Sequence, residues 1–114
     1  MPGGFPDELS DVACTVHDFK SGDRVASGRM DLAFVQHKDR LRVMRVRFTG
    51  EFRPDSLDDQ SALEQSMIAG FATGSPAHKI EVEHAGRIWV LVVKFEAGEG
   101  AFPFTGRADP KPAL

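Results

Sequence analysis

The chain has 114 residues and a mass of 12.5 kDa, enough for one core that buries roughly two-thirds of the unfolded surface and too little for two. Hydrophobic residues at 41% and charged residues at 27% match globular averages, which excludes wholesale disorder and fibrous repeats. The net charge of -3 argues against a protein built chiefly to neutralise phosphates, yet the charge is segregated: Lys20 to Arg53 holds nine basic and four acidic residues, leaving the remainder strongly acidic.

Cys14 is the only cysteine, so no intrachain disulfide and no multi-thiolate zinc site can form, and a reducing compartment is expected. The opening Met1-Pro-Gly-Gly-Phe-Pro lacks the pattern of a signal peptide, and the longest apolar run, Ile88 to Val93, is too short to cross a bilayer. These features point to a cytoplasmic protein without membrane contact. The excess of Arg over Lys and the absence of Asn and Tyr point to a bacterial, GC-rich coding sequence.

In chain order, residues 1–10 carry two prolines and two glycines and predict an irregular lead-in. Val12, Cys14 and Val16 then alternate with polar positions as in a strand. A second strand is predicted over Arg24 to Gln36, with Met30, Leu32 and Phe34 on one face. His37-Lys38-Asp39-Arg40 is polar enough for a hairpin loop. A third strand follows over Leu41 to Phe52, with Met44, Val46 and Phe48 inward and Arg45 and Arg47 outward.

Ser56-Leu57-Asp58-Asp59 has a capping side chain and first-turn acids, and Leu63, Met67 and Phe71 recur at helical spacing. An amphipathic helix over Leu57 to Ala72 is predicted, with Leu57 and Ile68 on its apolar face and Gly74 as its left-handed cap.

The last predicted unit is a hairpin over Lys79 to Phe95. A two-residue Ala85-Gly86 turn asks Ala85 for positive φ, so a bulged turn with only Gly86 left-handed is expected. That register pairs Val82 with Ile88 and sets Trp89, Leu91, Val93 and Phe95 on the face opposite Ile80 and Val82. The returning strand is apolar on both faces, and one helix cannot cover both. The candidate covers are the sheet curling onto itself, the Ala101-Phe102-Pro103-Phe104 segment folding back, a second copy of the chain or a bound ligand. Residues 97–114 read as loop, a short apolar patch and a flexible tail, leaving 11–96 as the single domain.

The expected fold is therefore α+β: a mainly antiparallel sheet of about five strands with one packed amphipathic helix, in the order βββαββ. In element order it resembles small bacterial adaptor and chaperone folds, including class I secretion chaperones. The resemblance is one of fold order, carried by no motif, and the N-terminal helix of those chaperones is not evident in this sequence.

No catalytic motif emerges. The four histidines are scattered, with no HExxH or Cys/His ligand set, so no metal and no cofactor are expected. Cys14 lies in phase with Val12 and Val16 and reads as a small buried hydrophobe. The glycines around Ser75 close a helix rather than open one and lack a following Lys, which excludes a phosphate loop.

The basic strand around Arg42, Arg45 and Arg47 is the most site-like feature, set against a plain reading in which its arginines pair with Asp31, Asp39 or Glu51. The leading expectation is a non-enzymatic protein-interaction module, an adaptor, chaperone-like or assembly component. It would be a homodimer or a partner-binder, with Trp89, Leu91, Val93 and Phe95 as apolar contact and Arg42, Arg45 and Arg47 as polar contact. The alternatives are a small-molecule or catalytic pocket between helix and sheet, containing His78 or His84, and nucleic-acid binding through the arginines, which the net charge disfavours.

Overall fold

The computed structural model describes residues 4–113. Seven strands and one helix follow in the order β1 (Glu8–Asp18), β2 (Arg24–Asp39), β3 (Arg42–Pro54), α1 (Leu57–Ala72), β4 (Ala77–His84), β5 (Arg87–Phe95), β6 (Phe102–Arg107) and β7 (Lys111–Pro112). Strand neighbours run β4-β1-β2-β3-β6-β5, all antiparallel, and β4 pairs with β5. That last pairing closes the sheet. The fold is a six-stranded antiparallel barrel with one helix, not the expected α+β arrangement of about five strands with one packed helix.

Three features produce the difference. The segment expected to be loop and patch after Phe95 supplies β6, which inserts between β3 and β5 and buries Phe102 and Phe104. Closure then removes the need for a second covering layer, because each barrel strand has one inner and one outer side. The helix is consequently not a layer on the sheet. It sits across one mouth of the barrel, burying only Leu63 and Met67 and leaving Leu57, Ile68 and Phe71 exposed.

The β4–β5 turn also departs from expectation. Ala85 and Gly86 form a two-residue turn with φ of 53° and 77°, and Val82 pairs with Trp89 and Ile80 with Leu91. A left-handed alanine costs about 1–2 kcal/mol, whereas burying a single large apolar side chain gains about 1.5–3 kcal/mol. The observed register turns Trp89, Leu91, Val93 and Phe95 inward together with Ile80 and Val82. Burial outweighs turn strain.

Seven of the nine phenylalanines are buried in the core. An aromatic column runs from Trp89 through Phe5, Phe34, Phe48, Phe104 and Phe95 to Phe52 and His78, with successive ring centroids 5.4–6.2 Å apart and mostly edge-to-face. Room for it comes from glycine. Gly50 lies directly across from Phe104, and Gly106 directly across from Phe48. A Cβ on Gly106 would overlap the Phe48 ring and the Val92 carbonyl, and one on Gly50 would overlap the Phe104 ring and the Asp31 carbonyl. Each ring therefore lies over the backbone of the adjacent strand.

The lead-in is structural. Phe5, 5% exposed, plugs the mouth opposite the helix. Arg45 holds it there, donating from Nη2 to the Phe5 carbonyl at 2.6 Å, pairing with Asp7 at 2.9 Å and stacking over the Phe34 ring.

This packing generates three stability predictions. Gly106→Ala should lose about 2–4 kcal/mol in denaturant unfolding because neither Phe48 nor the Val92 carbonyl can yield. Gly86→Ala, where a Cβ meets open space, should lose only about 1 kcal/mol from its positive φ. Phe5→Ala should lose about 3 kcal/mol; a loss below about 0.5 kcal/mol would show that the plug is dispensable.

Candidate functional site

The sequence-predicted contact residues separate in three dimensions. Trp89 is 6% exposed, and Leu91, Val93 and Phe95 are likewise buried within this single chain. Their apolar surface is consumed by the core, and the Trp89 indole N–H finds no hydrogen-bond partner there. The outward side chains of β5 are instead Ile88, Val90 and Val92, with Ile88 and Val92 about half exposed.

The arginine strand also divides. Val35 pairs with Arg47 and Gln36 with Arg45, so Val46 is an extra residue on β3 and the alternation shifts across it. Arg45 turns toward Phe34 and Phe5, as above, whereas Arg47 points outward opposite Arg107. Arg42 stands beyond the barrel, paired in register with Asp39. The three do not form one patch. Met44 and Val46, expected inward, are exposed because β2 and β3 outrun the barrel and this part of the hairpin has no core beneath it.

That overrun forms an arm, consistent with dimensions of 45 × 29 × 26 Å. It carries Leu41, 99% exposed at the turn, with Val43, Met44 and Val46 behind it, bordered by Lys38, Arg40 and Arg42. The sequence signal was present in the alternation of Leu41, Val43 and Met44 with arginines. Its placement outside the core depended on where the barrel ends.

The remaining basic and acidic side chains of the outer β1–β2–β3 wall are largely mutually satisfied. Arg53 contacts Asp31 at 3.0 Å, Asp11 at 3.2 Å and Glu51 at 3.5 Å, and Arg29 contacts Asp11 at 2.9 Å. These arginines hold the Asp11 and Asp31 carboxyls below the usual carboxylate range. The plain reading of a charge-laced strand applies to this wall.

His78 lies buried on β4 with Nε2 2.8 Å from the Ser66 hydroxyl of α1, while Nδ1 has no hydrogen-bond partner among the described residues. Burial pushes its pKa down, partly opposed by the Pro76 carbonyl and by Asp18. A serine beside a histidine resembles an activated nucleophile, but the carboxylate of nearby Asp18 is committed to the backbone N–H groups of Lys20 and Ser21. Among the described residues, no acid orients the imidazole. The pair instead joins α1 to the barrel mouth, as does Asp59, which accepts from the Ser27 N–H at 3.0 Å.

His17 contacts the Thr15 hydroxyl at 2.8 Å and the Gly22 carbonyl at 3.1 Å, and His84 packs near Phe5. The Cys14 thiol is pushed up to about 12, mainly by burial, which leaves it protonated at neutral pH and unfit as a nucleophile. Among the described residues, no group of three or more His, Cys, Asp or Glu side chains could hold a metal ion, and no helix is long and apolar enough to cross a membrane.

A concave groove of about 540 Å³ lies on the outer wall of β5 and β6. Val90 and Val92 line it together with Phe19, and Arg47, Lys94, Arg107 and Lys111 bring four cations to it. Comparison with family models, with curated proteins and with solved structures finds no match to this chain.

His78 generates a pH prediction. Its folded pKa lies below the unfolded value near 6.5, so its full contribution is present above that pH and is lost as pH falls toward the folded pKa. As pH falls below 6.5 the parent should lose stability at up to about 1.4 kcal/mol per pH unit, the limit for one proton. His78→Leu should flatten that part of the profile. The carboxylates with lowered pKa act at more acidic pH, so an unchanged profile in the variant would assign the effect elsewhere.

Proposed function

We propose that the chain is a non-enzymatic interaction module whose contact element is the projecting end of the β2–β3 hairpin. The observation that carries this reading is the exposure of Leu41, Val43, Met44 and Val46 on one arm outside the core. Large apolar side chains gathered at an exposed tip and bordered by cations suit protein recognition, in which an apolar centre supplies affinity and a charged rim supplies specificity. The chemistry complementary to Lys38, Arg40 and Arg42 is an apolar cleft with an acidic border. Two copies meeting arm to arm would oppose their basic rims, so a different protein is the better fit than a symmetric pair. No aromatic side chain interleaves with these cations to stack bases, which favours a protein over single-stranded nucleic acid.

The test is the triple variant Leu41→Ser, Val43→Thr and Met44→Thr in affinity capture. Its unfolding free energy should stay within about 1 kcal/mol of the parent because these positions have no core contacts. Partner retention should fall at least about tenfold, the effect of losing one anchor of about 1.4 kcal/mol, and retention by the parent should weaken with salt. Equal retention by the variant would remove the arm from the interface.

A further inference from the structure

The geometry points to a binding site for a small anion with an apolar body in the groove over β5 and β6, separate from the hairpin arm. Its first support is an unresolved repulsion. Arg47 and Arg107 are direct cross-strand partners on the outer face, an arrangement in which like charges disfavour folding. On the β1–β2–β3 wall, by contrast, Arg53 is answered by Asp31, Asp11 and Glu51, and Arg29 by Asp11. Among the described residues, Arg47, Arg107, Lys94 and Lys111 make no ion pair, and Asp109 is the only carboxylate lining the groove. Four cations against one acid leave a surplus that an anion would neutralise.

The second support is shape. β6 pairs with β5 over Val93 to Phe95, and β7 pairs with the same edge over Trp89 and Val90. The connection through Ala108, Asp109 and Pro110 therefore passes Leu91 and Val92 without a ladder pair. It walls a concavity whose lining includes Val90, Val92 and Phe19. Val92 is 48% exposed, although closure of the barrel gives the chain ample means to bury valines. A volume of about 540 Å³ lies within the range that encloses one small molecule, whose apolar body would cover the valines while its anionic group met the two guanidinium forks. A macromolecular surface is a poorer fit to a groove walled by the chain's own β6–β7 connection.

The experiment uses 1-naphthyl phosphate as probe in calorimetric titration, with 1-naphthol and inorganic phosphate as controls for each half of its chemistry. The aryl phosphate should bind saturably, at least about tenfold more tightly than either control. In Arg47→Gln/Arg107→Gln that affinity should fall by about tenfold or more, and Lys94→Gln should weaken it to a smaller extent. All three positions are exposed, so circular dichroism should match the parent, and the double variant should unfold no earlier because the repulsion is gone. The Leu41→Ser/Val43→Thr/Met44→Thr arm variant should bind the probe like the parent, which separates this site from the proposed partner contact. Absence of saturable binding, equal binding of 1-naphthol, or undiminished affinity in the double-arginine variant would overturn the assignment.

Discussion

The fold depends on aromatic rings lying against glycine backbone. A six-stranded barrel has a narrow interior, and seven phenylalanines with a tryptophan fill it only because Gly50 and Gly106 give Phe104 and Phe48 the space of a side chain. Gly28 does the same for Phe52 from a diagonal position. This arrangement couples the strands laterally: Phe48 from β3 sits on β6, and Phe104 from β6 sits on β3. Register between these two strands is thereby fixed on both sides of the pair, since a one-residue slip would set ring against Cβ and turn the aromatic face outward.

A filled interior determines where function can reside. The helix with Leu63 and Met67 occupies one mouth, and Phe5 clamped by Arg45 occupies the other. Buried His78 and half-buried Ser66 join the barrel to the helix. The proposed contacts accordingly fall on the outer wall and on the overhanging hairpin. On that outer surface the charges are unevenly balanced. The β1–β2–β3 wall is internally neutralised around Arg53, whereas the β5–β6 wall and the arm retain cations without partners among the described residues.

Local structure was legible where a single element determines it. The helix over Leu57–Ala72, its Ser56 cap and the left-handed Gly74 follow from side-chain chemistry within a few residues, and three leading strands follow from alternation. Closure was one of several covers the doubly apolar β5 allowed and could not be singled out, because Phe102-Pro103-Phe104 is too short to announce a strand and acquires its partners from β3 and β5, remote in sequence. The Trp89 face was misread for a related reason: the apolar count on β5 was right, but its register depended on whether Ala85 would accept a positive φ, a local cost that a long-range gain overrides. Val46 shows the same limit. One extra residue in β3 separated Arg45 from Arg47 and gave one to the plug and the other to the groove.

The insertion of β6 between β3 and β5 carries a temporal consequence. A nascent polypeptide emerging from the ribosome can form the first three-stranded meander early, yet it cannot seal the cylinder until Arg107 has left the exit tunnel. Until then β3 and β5 present bare edges and the rings of Phe48 and Phe95 lack their Phe104 neighbour. Such late, non-local closure lengthens the interval in which sticky intermediates persist, so synthesis rate and crowding in the cell bear on its yield as directly as the stability of the finished molecule.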